Sequence, residues 1–139
     1  MNQEIYKDAI VTLAKAKTGA ERLDNPDATI TLDNPLCGDR VTLDIKITDG
    51  VISDIGHRVR GCMLCEAAAS MIGQHAHGVA TADVGAARIS LRAVLLGDDT
   101  ATSWAPVGDL AAVGSFKSRH ECVLLPFEAL EKAVDEAAG

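Results

Sequence analysis

The residues of this chain that can bind a soft metal or carry sulfur lie in three short stretches far apart in sequence. They are Asn34-Pro-Leu-Cys-Gly-Asp39, Gly61-Cys-Met-Leu-Cys65 and Arg119-His-Glu-Cys122, and together they hold all 4 cysteines. Thiolates, imidazoles and carboxylates brought into a tetrahedron make a zinc or iron site. Cys37 and Asp39 fall in a turn between two strand patterns, and a Cys-x-Asp spacing lets alternate side chains point the same way. Gly38 between them permits dihedrals closed to other residues. Cys62 and Cys122 each lie near a helix start, where the positive end of the dipole favours a thiolate. Cys62 and Cys65, three apart, can face one metal or form a Cys-x-x-Cys redox pair. Cysteine is also a small buried apolar residue. Spacing leaves these alternatives open, because only the 62–65 pair is close in sequence.

The elements that must position these residues can be read from periodicity. Ile5, Ala9, Leu13 and Ala16 recur at helical spacing, predicting a helix from Asn2 to about Ala20, stopped near Gly19. Ala28 to Asp33 alternates as a short strand. Val41, Leu43, Ile45 and Ile47 alternate with Thr42, Asp44 and Lys46, and Asp49-Gly50 is a hairpin signal. Beyond it Val51, Ile55, His57 and Val59 share one parity. The period changes at Cys62, where a small-residue helix runs to around Gly78. Thr81 is placed to cap a helix that stops at Gly97. Asp98 to Pro106 reads as a polar loop with a short helical turn at Gly108–Val113 after it. Ser118-Arg-His-Glu121 matches a capping box, and Leu124, Phe127, Leu130, Ala133 and Val134 supply the last helix's apolar face. The fold class is α+β: an N-terminal helix, a three-stranded antiparallel sheet, then helices packed on one face, in a single domain over residues 1–139.

At 139 residues, with 47% hydrophobic and 24% charged residues, the chain is of ordinary globular composition and long enough to bury a core. A net charge of −7 argues against nucleic acid and anionic membrane surfaces as partners. No apolar run reaches the ~18–20 residues of a membrane span, and the N-terminus lacks a signal-peptide pattern. Both point to the cytoplasm, a reducing compartment where cysteines serve as ligands or redox thiols rather than bridges. His57 reads as an inward strand histidine, and His75 and His77 as solvated.

Asn34-Pro-Leu-Cys-Gly-Asp39-Arg40 resembles the Asn-Pro-x-Cys-Gly-Asp motif of the NifU/IscU iron–sulfur cluster assembly scaffold family. Gly61-Cys62 before a helix of Ala, Ser and Met resembles that family's second cysteine segment. Gly108-Asp-Leu110, Phe116, Arg119, Cys122 and Phe127-Glu-Ala-Leu-Glu-Lys-Ala-Val134 resemble its SufU branch. The 60 positions between Cys62 and Cys122 support that branch, which carries an inserted stretch near Asp98 to Gly114. The resemblance covers the chain from about residue 28 onward.

The resemblance implies a SufE/NifU-like fold with zinc or a transient [2Fe-2S] cluster held by Cys37, Asp39, Cys62 and Cys122. It implies a scaffold or sulfur-transfer protein rather than a turnover enzyme. A cysteine desulfurase would deliver persulfide sulfur to Cys122 or, alternatively, Cys62, and iron–sulfur recipient proteins would take the product. Arg40 and Arg119 are either surface arginines or offsets to the charge of such a site. The chain departs from the motif in several places. Cys65 is an additional cysteine, Glu121 stands where the branches have His or Lys, and His120 lies one position further back. Cys65 and His120 are the substitute ligands. Pro126 falls where a helix would need a donor for the Cys122 carbonyl, and the Leu-Pro-Pro-Val-Lys tract of the IscU branch is absent. Two other readings stand beside this one: a thiol oxidoreductase using Cys62 and Cys65, and a structural zinc module.

Overall fold

The computed structural model describes residues 8–36, 38–98 and 104–138. Helix α1 (Asp8–Ala16) precedes strands β1 (Ala28–Asn34), β2 (Asp39–Thr48) and β3 (Val51–Arg60). Helices α2 (Met63–His75), α3 (Val84–Leu95) and α4 (His120–Ala138) follow. The strands form one antiparallel sheet in the order β1-β2-β3, which is the expected architecture.

Alternation along β2 sends Val41, Leu43 and Ile45 to the covered face, where each is fully buried. Asp49 and Gly50 turn the chain with φ of 53° and 77°, the two positive angles a type I′ hairpin needs. The register then slips by one residue between Lys46 and Ile47. Ile52, not Val51, is the buried residue, opposite Ile47, and the slip lets it share a face with Ile55 and His57, which corrects the parity read from the sequence at that end. Past the slip Ile55 and His57 are buried as expected.

Helix α2 packs between α1 and α4, and α4 lies across β1 and β2. Its small residues Ala67, Ala68, Ala69, Ser70 and Gly73 are all buried, so neighbours approach it from several sides. The loop after α1 is one of them. The Thr18 amide donates to Ser70 Oγ at 3.1 Å, and His57 Nε2 donates to the Thr18 carbonyl at 2.8 Å. The carbonyl only accepts, so His57 carries its proton on Nε2. In α4, Phe127 is buried and meets Trp104 edge-on with centroids 5.5 Å apart.

Several helix ends differ from the sequence reading. Thr81 does not cap α3: a 3-10 turn, Thr81–Asp83, leads into it with no side-chain capping bond. Ser118 sits in a second such turn, Lys117–Arg119, and the expected turn at Gly108–Val113 is part of a longer 3-10 segment, Ala105–Ser115. Pro126 lies inside α4. The start of the N-terminal helix, and residues 99–103 of the polar loop, fall outside the described residues.

The segment after α1 crosses the sheet's other face and is latched there. Asp44, on the outward parity of β2, has a fully buried side chain. It accepts from Arg22 Nε at 2.6 Å, Thr29 Oγ1 at 2.5 Å and the Leu23 amide at 3.0 Å. Burial alone would raise its pKa, but the bonds from Arg22, Thr29 and Leu23 outweigh it and hold the carboxyl below its ordinary value. A carboxylate depressed in the fold contributes stability above its unfolded value near ~3.9 and loses it as pH falls through the folded value. Asp44→Asn is therefore expected to cost about 2–3 kcal/mol near neutral pH. The gap from wild type should narrow toward about pH 3. Urea unfolding at both pH values checks this, and equal stability at neutral pH would refute the latch.

Candidate metal centre

The sheet ends where β2 begins and β3 finishes, and the candidate ligands gather at that end. Asn34 pairs with Asp39 across the β1–β2 turn. Within the turn Asn34 Oδ1 accepts from the Leu36 amide at 3.2 Å, and the Gly38 amide donates to the Asn34 carbonyl at 2.8 Å. Gly38 has a φ of 73°, an angle glycine adopts without penalty. Asp39 shares the inward parity of Val41 and Leu43, so its carboxylate is only 2% exposed beneath α4. Cys62 closes β3 and opens α2, and Cys122 lies in the first turn of α4, fully buried.

These three come together. Asp39, Cys62 and Cys122 each offer a ligand atom, and those atoms lie within 4.8 Å of one another. Asp39 Oδ1 accepts the Cys62 amide at 3.0 Å, and Cys62 Sγ stands 3.8 Å from Asp39 Oδ2. Tetrahedral zinc with bonds of about 2.0–2.3 Å keeps its ligand atoms about 3.3–3.8 Å apart. Two sulfurs and a carboxylate at these separations fit a zinc or iron ion. Gly61 makes the approach possible: a Cβ there would overlap the Asp39 carboxylate, with Cγ only 2.8 Å away.

The remaining candidates go elsewhere or fall outside. Cys37 lies outside the described residues. Cys65 is fully buried among core residues and is not part of the group. It lies near the start of α2, within the apolar core. His120 is not in the group either: its Nε2 is 2.9 Å from the Gly114 carbonyl. Arg40 pairs with Asp33 at 2.7 Å rather than with the ligands.

Sequence reasoning missed the surroundings of the site. Arg40 and Arg60 stand directly opposite in the β2–β3 register, and among the described residues no carboxylate pairs with Arg60. They line an open recess of about 510 Å³ with Asp33, Gly38 and Gly61, the two glycines that precede Asp39 and Cys62. Leu36, two residues before Gly38, is 91% exposed, and Met63, next to Cys62, is 39% exposed. Counting outward from Asp49-Gly50 pairs Arg40 with Val59, and only the one-residue slip sets the two arginines opposite each other.

The chain matches the family of NifU-like N-terminal domains over residues 5–103. It belongs to that family. Among NifU-like relatives it is similar to the zinc-dependent sulfurtransferase SufU of Bacillus subtilis, 29% identical over 118 residues that span 83% of this chain and 80% of SufU. It is also similar to the iron–sulfur cluster assembly scaffold protein IscU of Streptococcus pyogenes, 26% identical over 97% of this chain and 86% of that protein. The crystal structure of a nitrogen-fixing NifU-like protein (N-terminal) from Brucella abortus superposes with a TM-score of 0.89. It is 28% identical and covers 98% of this chain and 96% of its own. The NifU-like fold therefore extends past the matched segment into α4, which brings Cys122 to the site. No helix among the described residues is long and apolar enough to cross a membrane.

Proposed function

We propose that this NifU-like protein is an iron–sulfur cluster assembly scaffold or zinc-bound sulfur acceptor that takes persulfide sulfur from a cysteine desulfurase. The observation that carries the reading is the convergence of Asp39, Cys62 and Cys122, drawn from three separate segments, to within 4.8 Å. Cys37, two positions before Asp39, is the fourth donor that the motif supplies. A zinc bound there would keep the thiols ionised and the loops in place. The carboxylate is the harder donor of the set and the weaker ligand for a soft ion, so it is the one to yield when sulfur arrives.

Sulfur transfer needs only a nucleophilic thiolate. The acceptor sulfur attacks the outer sulfur of the donor's persulfide, a new S–S bond forms, and the donor cysteine leaves as its thiolate. Cys62 is half-exposed and Cys122 buried, so Cys62 meets the donor first and Cys122 is the acceptor reached from it. The exposed Leu36 and Met63, and Arg60, which no carboxylate pairs among the described residues, suit a site that a protein must cover during transfer.

As purified, the protein is expected to hold one zinc per chain. Cys37→Ser, Cys62→Ser and Cys122→Ser should each weaken zinc binding by about 100-fold or more, read by chelator competition. Incubation with a cysteine desulfurase and cysteine should place a persulfide on Cys62 or Cys122, located by mass spectrometry. Zinc content unchanged in all three variants would overturn the metal centre. Zinc held without any persulfide would leave a structural zinc module instead.

A further inference from the structure

Cys62 and Cys65 stand at the two ends of the first turn of α2, and the metal centre uses only one of them. Cys62 is the N-cap, with φ −78° and ψ 167°, and its carbonyl accepts the Glu66 amide at 3.1 Å. Cys65 is the third residue inside the helix and is fully buried, whereas Cys62 is half-exposed. Residues three apart on a helix lie about 5–6 Å apart at Cβ, and a disulfide spans Cα atoms about 4.4–6.8 Å apart. An N-cap side chain ordinarily folds over the first turn toward the amides of the second and third residues. Cys62 makes no such capping bond, and its sulfur is turned to Asp39 Oδ2 at 3.8 Å. Rotation about χ1 carries it from the carboxylate to the first turn, whose third residue is Cys65.

For a sulfur acceptor this pairing has a chemical use. The outer sulfur of a persulfide is at oxidation level zero, while an iron–sulfur cluster holds sulfide, two electrons lower. A persulfide on Cys62 can be attacked at either sulfur, with different outcomes. Attack on the outer sulfur, by Cys122, moves it on unreduced. Attack on the inner sulfur, Cys62 Sγ, expels the outer one as hydrosulfide. The inner sulfur stays fixed to the start of α2, one turn from Cys65. The half-exposed cysteine is placed to meet a donor protein, and the buried one to meet only its neighbour.

We propose, on the footing of the sulfur-acceptor function above, that Cys65 is the resolving thiol for a persulfide on Cys62, so that the chain itself reduces the sulfur it accepts. Cys65 Sγ attacks Cys62 Sγ and the Cys62–Cys65 bond forms. The bond to the outer sulfur breaks, and its electron pair leaves with that sulfur. The Cys65 thiol proton ends on the departing hydrosulfide. The released sulfur has gained two electrons, and the two cysteines have supplied them by becoming a disulfide. An external dithiol then exchanges with that disulfide and restores both thiols. While the disulfide lasts, Cys62 is withdrawn from the metal centre as a thiolate donor.

A single-turnover experiment tests this. A cysteine desulfurase is loaded with persulfide, freed of cysteine, and mixed anaerobically with the full chain in the absence of other thiols. The wild type is expected to release sulfide, and mass spectrometry after alkylation should find a Cys62–Cys65 disulfide in matching amount, removed by dithiothreitol. Cys65→Ser should keep the sulfur as persulfide and release at least about tenfold less sulfide, with its zinc content unchanged. If Cys65→Ser does not fold, Cys65→Ala decides. Persulfide on the wild type with no Cys62–Cys65 disulfide, or equal sulfide from wild type and variant, overturns the proposal and leaves the acceptor function standing. Sulfur on neither protein, as persulfide or as sulfide, overturns the acceptor function and the role of Cys65 with it.

Discussion

Gly61→Ala is expected to weaken zinc binding by about 100-fold while the protein stays folded, the upper end of what groups supporting metal ligands deliver. The added methyl would sit against the Asp39 carboxylate, 2.8 Å from Cγ and 3.0 Å from Cβ. Asp39 cannot easily step aside. It is held in the β1–β2 register opposite Asn34, lies 2% exposed under α4, and accepts the Cys62 amide at 3.0 Å. Moving it breaks that bond and carries one donor away from the other two. Chelator competition on the purified variant measures the change. Gly38→Ala is the matching control: nothing lies within 4 Å of a Cβ there, though φ is 73°. It should cost about 1 kcal/mol of stability through backbone strain and leave Asp39 alone. Zinc affinity within twofold of wild type in Gly61→Ala would show that the carboxylate is not a ligand.

Gly73→Ala should destabilise the fold by about 3 kcal/mol, roughly 10 °C in melting temperature for a chain of this size. Gly73 is buried in α2, and a Cβ on it would overlap the Thr18 carbonyl, whose carbon lies 2.7 Å away. That carbonyl accepts from His57 Nε2 at 2.8 Å, and the neighbouring Gly19 carbonyl accepts the His57 amide at 2.8 Å. Displacing the loop breaks both bonds at once and leaves a buried imidazole without its acceptor. Each loss costs about 1–3 kcal/mol when the group stays buried, so overpacking and unsatisfied polar groups act together. Thermal and urea unfolding report the effect. A loss under about 1 kcal/mol would mean that the loop yields freely.

Both effects depend on close approaches that no periodicity announces. The alternation in β2 and the Asp49-Gly50 turn were enough to place the sheet, because a half-buried strand must repeat every two residues. The Asn-Pro-x-Cys-Gly-Asp pattern led to Asp39, and the resemblance of the later segments to the same family led to Cys62 and Cys122. What stayed hidden depends on distance rather than residue type. Cys65 reads as a ligand by type, yet one turn of α2 carries it into the core. His120 reads as a ligand by position, yet the 3-10 approach to α4 ties it to Gly114. The slip after Lys46 moved Ile52 inward and set Arg40 against Arg60, since one extra residue reverses the face of everything around it.

Pro126 gives the long helix a seam. Proline has no amide hydrogen, so the carbonyl of Cys122 receives nothing from the position four residues on, and the turn from His120 to Leu125 is joined to the rest of α4 by one bond fewer. Past the seam, Phe127, Leu130 and Ala133 anchor the helix in the core. The buried cysteine is thus carried on a tab rather than on the rod itself. Val123, Leu124 and Leu125, on the cysteine's side of the seam, are buried with it, so exposing Cys122 would draw part of the core outward.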